Sequence, residues 1–445
     1  MRSTQSALHI AQRRPATMDT AALRALGEER LDWRFKALPS DWEGRPLAEA
    51  AASGARLFDD GFVGPVVVLG AAALDHNLRA MADWCAAHGV ALAPHGKTTM
   101  APQLFARQLE HGAWGITAAN ASQLRVYRAF GVSRVLLANQ LVDPAALHWL
   151  AAELGRDPAF EFCCWADSVR GVELMTEALA GAPRPVDVLV ELGAGGGRTG
   201  VRDRETALAV AAAVRDSPVL RLRGAGGYEG ALAHDTGAEA LARITSYVDD
   251  LRALTIALAE GGYAAGDAPL LVTAGGSAYF DLVAEGLSSG WPGDLAVLPI
   301  LRSGAYLTHD DGFYRAMSPL GAAPRVEGTP FEPALRAWAQ VTSRPEPDLA
   351  LLTLGKRDAS FDEGLPEPQL HRPRGGGVRE LAGHTVTKLN DQHAFVALPP
   401  GSPLEVGDWV GLGLSHPCTV FDKWPVVPVV GEDGETVIDL VRTYF

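Results

Sequence analysis

The sequence predicts an α/β protein, a (β/α)8 TIM-like barrel followed by an antiparallel β domain. Between about residues 65 and 273, short β-rich runs alternate with segments of helical period. The runs are almost continuously apolar, which is typical of parallel strands covered on both faces by helices. After about residue 310, helical periodicity nearly disappears and short apolar runs separated by Gly and Pro indicate antiparallel strands. An open doubly wound sheet remains an alternative, because a strand count cannot show closure.

The first part of the chain contains eight strand candidates, the number that a (β/α)8 barrel requires. They are residues 65–69, 90–93, 115–117, 134–138, 160–165, 186–192, 220–224 and 270–273. The helix candidates carry Ala or Leu at three- and four-residue spacing beside charged positions, which predicts one buried face for each helix. They are residues 72–88, 101–111, 121–130, 144–154, 169–180, 204–215 and 238–260.

The C-terminal part contains shorter strand candidates, at residues 336–342, 349–354, 378–381, 408–413 and 426–430. Three prolines and a triple glycine predict a mobile loop over residues 364–377. The pattern changes predict an N-terminal extension over residues 1–54, a barrel over 55–310 and a β domain over 311–445. We expect the poorly patterned extension to pack on the β domain.

Composition restricts the class of protein. A chain of 445 residues with 47% hydrophobic content can form a large core, and its length favours two domains. The net charge of −14 argues against a nucleic-acid or anionic-membrane partner, since both would be repelled. We find no secretory signal in residues 1–17 and no run long enough to span a membrane. Four cysteines in so long a chain indicate no disulfide framework, so we expect a cytoplasmic protein acting on small molecules.

Lys97 is the most informative residue. It follows the apolar run 89–92, inside the segment Pro-His-Gly-Lys-Thr of residues 94–98. A lysine in the partly apolar mouth of a barrel has a lowered pKa and can attack a carbonyl as the free base. The obvious carbonyl is pyridoxal phosphate, which would form a Schiff base with Lys97. A surface lysine in an ordinary loop after a strand is the alternative.

A phosphate-binding turn is predicted where the last strand candidate ends. The backbone N–H groups of Gly275 and Gly276 could approach a phosphate there, and Ser277 adds a hydroxyl donor. A glycine turn that only closes the strand is an equally common reason for this pattern.

Three further side chains follow strand ends. Arg198 lies in the glycine-rich segment 193–200 and could face a pyridine nitrogen, which it would keep unprotonated. Tyr228 could hydrogen-bond or stack near the ring, and Tyr306 offers a second phenol at the domain junction. A solvated arginine, a structural tyrosine and a domain-packing cluster are the respective alternatives.

His416 and Cys418 are candidate metal ligands. In an extended strand, their i, i+2 spacing would point both side chains to one face, where nitrogen and thiolate could share a zinc ion. Two ligands leave coordination positions open, as in a catalytic rather than a structural site, and a His-x-Cys pair in a β domain that binds no metal is the alternative.

In order and spacing, these motifs resemble the D-serine dehydratase and D-threonine aldolase family of fold-type III pyridoxal enzymes, whose barrel is of the alanine racemase N-terminal type. The resemblance spans residues 57–445. It rests on the cofactor-lysine motif at 95–98, the arginine turn at 197–200, the phosphate turn at 274–277, the tyrosine motif at 301–306, and the C-terminal signatures at 355–358 and 415–419.

The resemblance implies that His95, Lys97, Arg198, Tyr228 and the phosphate turn bind pyridoxal 5′-phosphate. Lys97 is then also the general base that removes the α-proton of a D-amino acid. Because the family's aldolases carry His-x-Asp and its dehydratases His-x-Cys, the metal pair favours a dehydratase. Thiolate selects Zn²⁺ over harder ions. The expected products are ammonia and a 2-oxo acid.

The substrate and the reaction stay open among several alternatives. D-Serine, D-threonine and 3-hydroxy-D-aspartate are all candidate substrates. A D-threonine-type aldolase, a racemase with Tyr306 as second base, and a non-catalytic pyridoxal-binding protein are alternatives to the dehydratase. The family's usual acidic residue is missing from residues 118–121, and Ser303 replaces a proline. The resemblance also implies a homodimer.

Overall fold

The computed structural model of this protein describes residues 14–264, 266 and 268–445. The prediction that residues 1–17 hold no secretory signal therefore falls mostly outside the described residues. Across the part of the chain that is described, no helix is long and apolar enough to cross a membrane.

The chain divides into two compact units, each considered by itself below. The barrel unit contains the described residues up to Asp19, Met81–Lys97 and Phe105–Gly304, and the sheet unit contains Thr20–Ala80, Thr98–Leu104 and Ala305–Phe445. The predicted domain limits at residues 54/55 and 310/311 stay predictions.

The strands in chain order are β1 Val66–Gly70, β2 Ala91–Leu92, β3 Ile116–Ala118, β4 Arg134–Gln140, β5 Glu161–Ala166, β6 Val186–Leu192, β7 Leu220–Gly227, β8 Leu270–Ala274, β9 Val297–Leu301, β10 Leu335–Glu346, β11 Leu349–Leu352, β12 Glu367–Arg372, β13 Arg379–Glu380, β14 Thr385–Leu389, β15 Ala394–Ala397, β16 Trp409–Gly413, β17 Val426–Val430 and β18 Val437–Arg442.

The α-helices are α1 Thr20–Leu26, α2 Leu47–Ala51, α3 Ala71–Ala87, α4 Pro102–Glu110, α5 Ala121–Ala129, α6 Pro144–Arg156, α7 Val169–Ala178, α8 Arg204–Asp216, α9 Ala238–Glu260, α10 Phe280–Leu287, α11 Phe313–Met317 and α12 Cys418–Phe421. Every helix predicted from α3 to α9 is present, within two residues at each end. Side-chain caps explain several starts, since Asn120, Asp143 and Ser168 each accept a backbone N–H in the first turn of α5, α6 and α7.

The barrel unit is a closed parallel sheet. Its strand order is β2-β9-β8-β7-β6-β5-β4-β3. The chain just after β2 joins the two ends, because Ala93 N donates to Leu301 O at 2.8 Å on one side and Thr117 N donates to Pro94 O at 2.8 Å on the other. Buried side chains including Leu136, Trp165 and Leu189 fill the interior. The predicted (β/α)8 barrel is confirmed, and the open sheet is excluded.

The sheet unit contains a ten-stranded sheet in which β13-β12-β16-β10-β1-β17-β18 are neighbours and β11, β14 and β15 branch from β10. All its pairs are antiparallel except β1 with β17. Leu31, Phe35 and Trp42 pack in one core with Trp338 and Trp409 of the sheet. The predicted antiparallel β domain is confirmed.

Two element predictions were wrong. Residues 65–69 form β1, which pairs with β10 and β17 rather than joining the barrel, and the eighth barrel strand is β9. Residues 364–377 are not a single loop, because β12 lies within them and pairs with β16 and β13. Strands β14, β15 and β18 were also not predicted and contain no proline, whereas β9 contains Pro299 and β12 contains Pro368. Prolines lack the N–H that an internal strand normally uses, so both runs look like breaks in the pattern.

Candidate active site

Lys97 lies in a single turn of 3₁₀ helix, Gly96–Thr98, at the carboxyl end of β2. Its side chain is partly buried, as the barrel-mouth prediction requires. The turn depends on Gly96, since a Cβ there would lie 2.5 Å from Tyr127 Oη. Tyr127 itself is fully buried, so it cannot move away. Packing therefore fixes the backbone that carries Lys97.

His95 is a neutral, partly unsatisfied imidazole near three cations. Burial, followed by the positive charges of Lys97, Arg302 and Arg198, lowers its pKa well below the usual value. Its buried Nδ1 has no hydrogen-bond partner among the described residues. A buried polar atom without a partner is uncommon and suits a site that receives a ligand. The excess of positive charge favours an anionic one.

Arg198 and Tyr228 lie together. The Arg198 guanidinium carbon is 4.9 Å from the centre of the Tyr228 ring, and Arg198 is otherwise exposed. The glycine-rich segment around Arg198 is tied down at its base, because Thr199 Oγ1 donates to Glu191 Oε1 at 2.9 Å. Burial raises the pKa of Glu191, with hydrogen bonds from Gln140 and Thr199 opposing it.

Tyr247, on α9, connects the two segments. Its hydroxyl donates to Leu192 O at 2.6 Å and accepts from Tyr228 N at 3.0 Å. Gly227 makes room for it, since a Cβ there would lie 1.9 Å from Tyr247 Oη. One hydroxyl therefore holds the ends of both β6 and β7. Sequence analysis did not find Tyr247, whose helical position gives no signal of this role.

The predicted phosphate turn already binds one carboxylate. Gly275 N donates to Glu229 Oε2 at 2.9 Å and Gly276 N donates to Glu229 Oε1 at 2.6 Å, and Glu229 is fully buried. These two N–H groups thus have an acceptor within the protein. Ser277, largely buried, follows them and precedes the N-terminus of α10, where the helix dipole favours an anion.

Arg302 supplies a buried positive charge beside the turn. It is 2% exposed. Its Nη1 donates to Thr273 Oγ1 at 2.7 Å and its Nη2 to Gly227 O at 2.5 Å. Burial lowers the pKa of Arg302, and the charge of Glu229 opposes that effect. The barrel unit therefore offers an amine, a group of aromatic and basic side chains, and a helix N-terminus that favours an anion, which together fit pyridoxal phosphate.

In the sheet unit, His416 and Cys418 do not lie in an extended strand, so that part of the prediction was wrong. Pro417 is helical and starts a tight turn that continues into α12, in which Thr419 N donates to His416 O at 3.2 Å. His416 has φ of +49°, in the left-handed region that non-glycine residues rarely adopt. The two side chains still meet, and their hydrogen bond is the main cause that raises the pKa of His416 to about 9.

The surroundings of this pair suit a metal ion. His416 Nδ1 is 2.6 Å from Asp362 Oδ2, and a carboxylate bonded to the second ring nitrogen is the usual support of a ligating histidine. Cys418 Sγ is 3.5 Å from the hydroxyl of Thr98, the residue after Lys97 in the sequence. Within the described residues, no third His, Cys, Asp or Glu side chain completes a metal-binding group with this pair. Any ion here would keep open coordination positions.

Two family models match this chain. Residues 70–286 match the alanine racemase N-terminal domain, and residues 334–430 match the putative serine dehydratase domain. The D-threonine aldolase of Arthrobacter sp. is 31% identical over 373 residues, which are 83% of this chain and 89% of that protein.

Solved structures share the fold of this chain. The D-threonine aldolase from Filomicrobium marinum is 26% identical, with a TM-score of 0.72 over 86% of this chain and 95% of that one. A cysteine-to-alanine variant of D-threo-3-hydroxyaspartate dehydratase, in the metal-free form, is 20% identical with a TM-score of 0.69 over 88% and 99%. The chain belongs to the D-threonine aldolase and D-serine dehydratase family of fold-type III pyridoxal phosphate enzymes.

The family's predicted cofactor residues all lie in the barrel unit of this lyase. There, the charges of Lys97 and Arg198 help to lower the pKa of His95. Tyr228 lies beside the phosphate turn, since a Cβ at Gly276 would be 3.1 Å from Tyr228 Cε2. The metal pair and Tyr306 belong to the sheet unit. Tyr306 is 3% exposed, and its ring centre is 6.0 Å from that of Phe331. The role of each residue in this family member stays a prediction.

Proposed function

We propose that this protein is a pyridoxal phosphate- and divalent metal-dependent aldolase that cleaves the Cα–Cβ bond of a D-3-hydroxy amino acid, giving glycine and an aldehyde. The 31% identity to a D-threonine aldolase carries the choice of reaction. The dehydratase expected from His416 and Cys418 becomes the second candidate, because the named aldolases are more similar than the dehydratase.

The barrel residues would hold the cofactor and one mobile proton. Lys97 would bind its aldehyde, Arg198 its ring nitrogen, and Ser277 with the N-terminus of α10 its phosphate. When bound, pyridoxal phosphate supplies an electron sink for charge that develops at Cα. Cleavage of Cα–Cβ moves one proton from the β-hydroxyl, whose oxygen becomes that of the aldehyde, to Cα, which becomes that of glycine, and the amine of Lys97 would carry this proton. Since burial and neighbouring cations keep His95 neutral, it does not compete as an acid near neutral pH.

The metal residues distinguish 3-hydroxy substrates from other D-amino acids. His416 and Cys418 would hold a divalent ion, with Asp362 behind the imidazole. The ion supplies Lewis acidity toward an oxygen ligand. A substrate without a β-hydroxyl lacks that ligand, so we expect alanine to react poorly. The softness of the Cys418 thiolate still supports zinc, and the His-x-Cys pattern at residues 416–418 still supports a dehydratase.

Product analysis tests the reaction. We would incubate the protein, loaded with pyridoxal phosphate and Zn²⁺ or Mn²⁺, with D- and L-forms of serine, threonine and 3-hydroxyaspartate. Glycine and an aldehyde from D-substrates support the aldolase, whereas ammonia and a 2-oxo acid identify the dehydratase. The Lys97→Ala variant should be slower by about 10²–10⁴-fold. If neither product pair forms, or L-substrates react equally well, the proposal is wrong.

We also propose a homodimer, on the family resemblance alone. Sedimentation of the active enzyme checks it, and an active monomer would contradict it.

A further inference from the structure

Two carboxylates hold His416, one through its ring and one through its backbone. Asp362 Oδ2 lies 2.6 Å from the ring nitrogen Nδ1, and Asp310 Oδ2 accepts the backbone N–H of His416 at 3.1 Å. The ring and the backbone of one residue are therefore fixed separately.

The Asp310 carboxylate is a buried anchor. Its other oxygen, Oδ1, accepts the N–H groups of Gly312, Tyr314 and Arg315 at 3.0, 2.8 and 3.2 Å. Asp310 is 1% exposed, so these bonds are shielded from water. They connect the start of α11 to the His416 backbone, whose φ of +49° needs such support.

The Asp362 carboxylate acts on the ring. An ionised carboxylate only accepts hydrogen bonds, so the His416 nitrogen facing it, Nδ1, must carry the hydrogen. In the neutral ring, Nε2 then has the lone pair that a metal ion needs. The second Asp362 oxygen accepts the Thr419 hydroxyl at 3.0 Å. Asp362 thus bonds to residues on both sides of Pro417, His416 and Thr419, and these two bonds fix the orientation of its carboxylate.

We propose that Asp362 is a positioning residue that selects the Nδ1–H form of His416 and thereby lets Nε2 and the Cys418 thiolate bind one divalent transition-metal ion. The inference rests on the proposed function for its metal pair, but it assigns a role to a residue outside the ligand motif. It predicts that substituting Asp362 lowers the affinity for the metal ion more than it lowers the stability of the fold.

Metal affinity tests the proposal directly. We would measure Zn²⁺ binding by competition with a chromophoric chelator for the wild type, Asp362→Ala, Asp362→Asn and Asp362→Glu. Loss of such a carboxylate typically weakens metal binding by about 10–100-fold, and we expect that loss for Asp362→Ala. Asp362→Asn should fall in between, because its amide can pair with either tautomer, and Asp362→Glu should recover part of the affinity.

Asp422→Asn is the matched control. It removes one exposed carboxylate from the same segment, four residues after Cys418, where Asp422 Oδ1 contacts Lys423 Nζ at 3.1 Å. Wild-type affinity in this variant would show that the loss is not a general charge effect. Cobalt binding gives a second readout, since thiolate-to-cobalt charge-transfer absorption should persist at saturation in Asp362→Asn but need more cobalt.

The outcomes separate this inference from the proposed function. If Asp362→Ala and Asp362→Asn bind Zn²⁺ like the wild type while His416→Ala and Cys418→Ala do not, Asp362 has no positioning role and the metal pair stands. If the wild type binds no ion, or if His416→Ala and Cys418→Ala bind as tightly as the wild type, the metal part of the proposed function fails. Should Asp362→Ala not fold, Asp362→Asn, which keeps the side-chain shape, decides in the same way.

Discussion

At the scale of single residues, the active-site motifs depend on side chains that stand outside them. Tyr247, Glu229 and Asp362 each fix a predicted site residue through hydrogen bonds. Their partners are 19, 47 and 54 positions away in the sequence. The sequence motifs contain the residues that are expected to contact ligands. The supporting residues lie elsewhere in the sequence and reach them only in the folded structure. They are the most informative positions for substitution.

Substituting Tyr247 by Phe should loosen the barrel mouth. The change leaves Leu192 O and Tyr228 N without their shared hydroxyl, and an unsatisfied buried group costs about 1–3 kcal/mol. We expect a lower free energy of unfolding by that amount and weaker pyridoxal phosphate binding, because Arg198 and Tyr228 both depend on these strand ends. Denaturant unfolding and an absorbance titration measure the two effects.

The control for this prediction is Tyr263→Phe. The ring of Tyr263 packs on Arg215, 5.2 Å from the guanidinium carbon. The free energy of unfolding and the affinity for pyridoxal phosphate should both stay at the wild-type level in that variant. Wild-type cofactor affinity in Tyr247→Phe would mean that its hydroxyl supports stability alone.

Sequence analysis placed the ligand-contacting candidates better than their supports. Lys97 was recognisable because a lysine directly after a short apolar run is a local signal. Glu229 was not predicted, since nothing nearby in the sequence shows that its carboxylate reaches Gly275 and Gly276. For Cys418, spacing predicted proximity to His416 correctly but for the wrong reason, because the turn at Pro417 replaces the expected strand.

At the scale of elements, helices were more predictable than strand pairing. Helix starts have local causes, such as the Ser168 side chain that accepts Gly171 N at the start of α7. The choice of a strand's partner has no such local cause. The run Val-Val-Val-Leu-Gly of β1 is as apolar as any barrel strand, and its pairing with β10, which begins at Leu335, is set by residues far along the chain. Apolar pattern alone therefore cannot tell which of the two sheets receives β1.

Hydrogen exchange should distinguish β12 from the loop that was predicted there. Leu370 and His371 pair with Gly411 and Val410 of β16, so amides of this strand lie between two neighbours. We expect slow exchange within Glu367–Arg372 and fast exchange in residues 375–377, measured on the native enzyme by mass spectrometry. Equally fast exchange across both segments would restore the mobile-loop interpretation.

At the scale of the whole molecule, the two units bury their cysteines to different degrees. Cys85, Cys163 and Cys164 are buried in the barrel unit, whereas Cys418 in the sheet unit is partly exposed. Such a distribution suits a protein with one functional thiol, because a buried apolar cysteine behaves as a small hydrophobic side chain.

Thiol reactivity should reflect this distribution. Burial raises the pKa of Cys85 to about 12 and raises those of Cys163 and Cys164 as well, and only a thiolate attacks a disulfide reagent. At pH 8, an aromatic disulfide reagent should therefore modify Cys418 quickly in the native protein and all four cysteines after unfolding. Cys418→Ser should remove the fast phase, and Zn²⁺ should slow it in the wild type by occupying the sulfur. Fast modification that persists in Cys418→Ser would show that the barrel core opens readily.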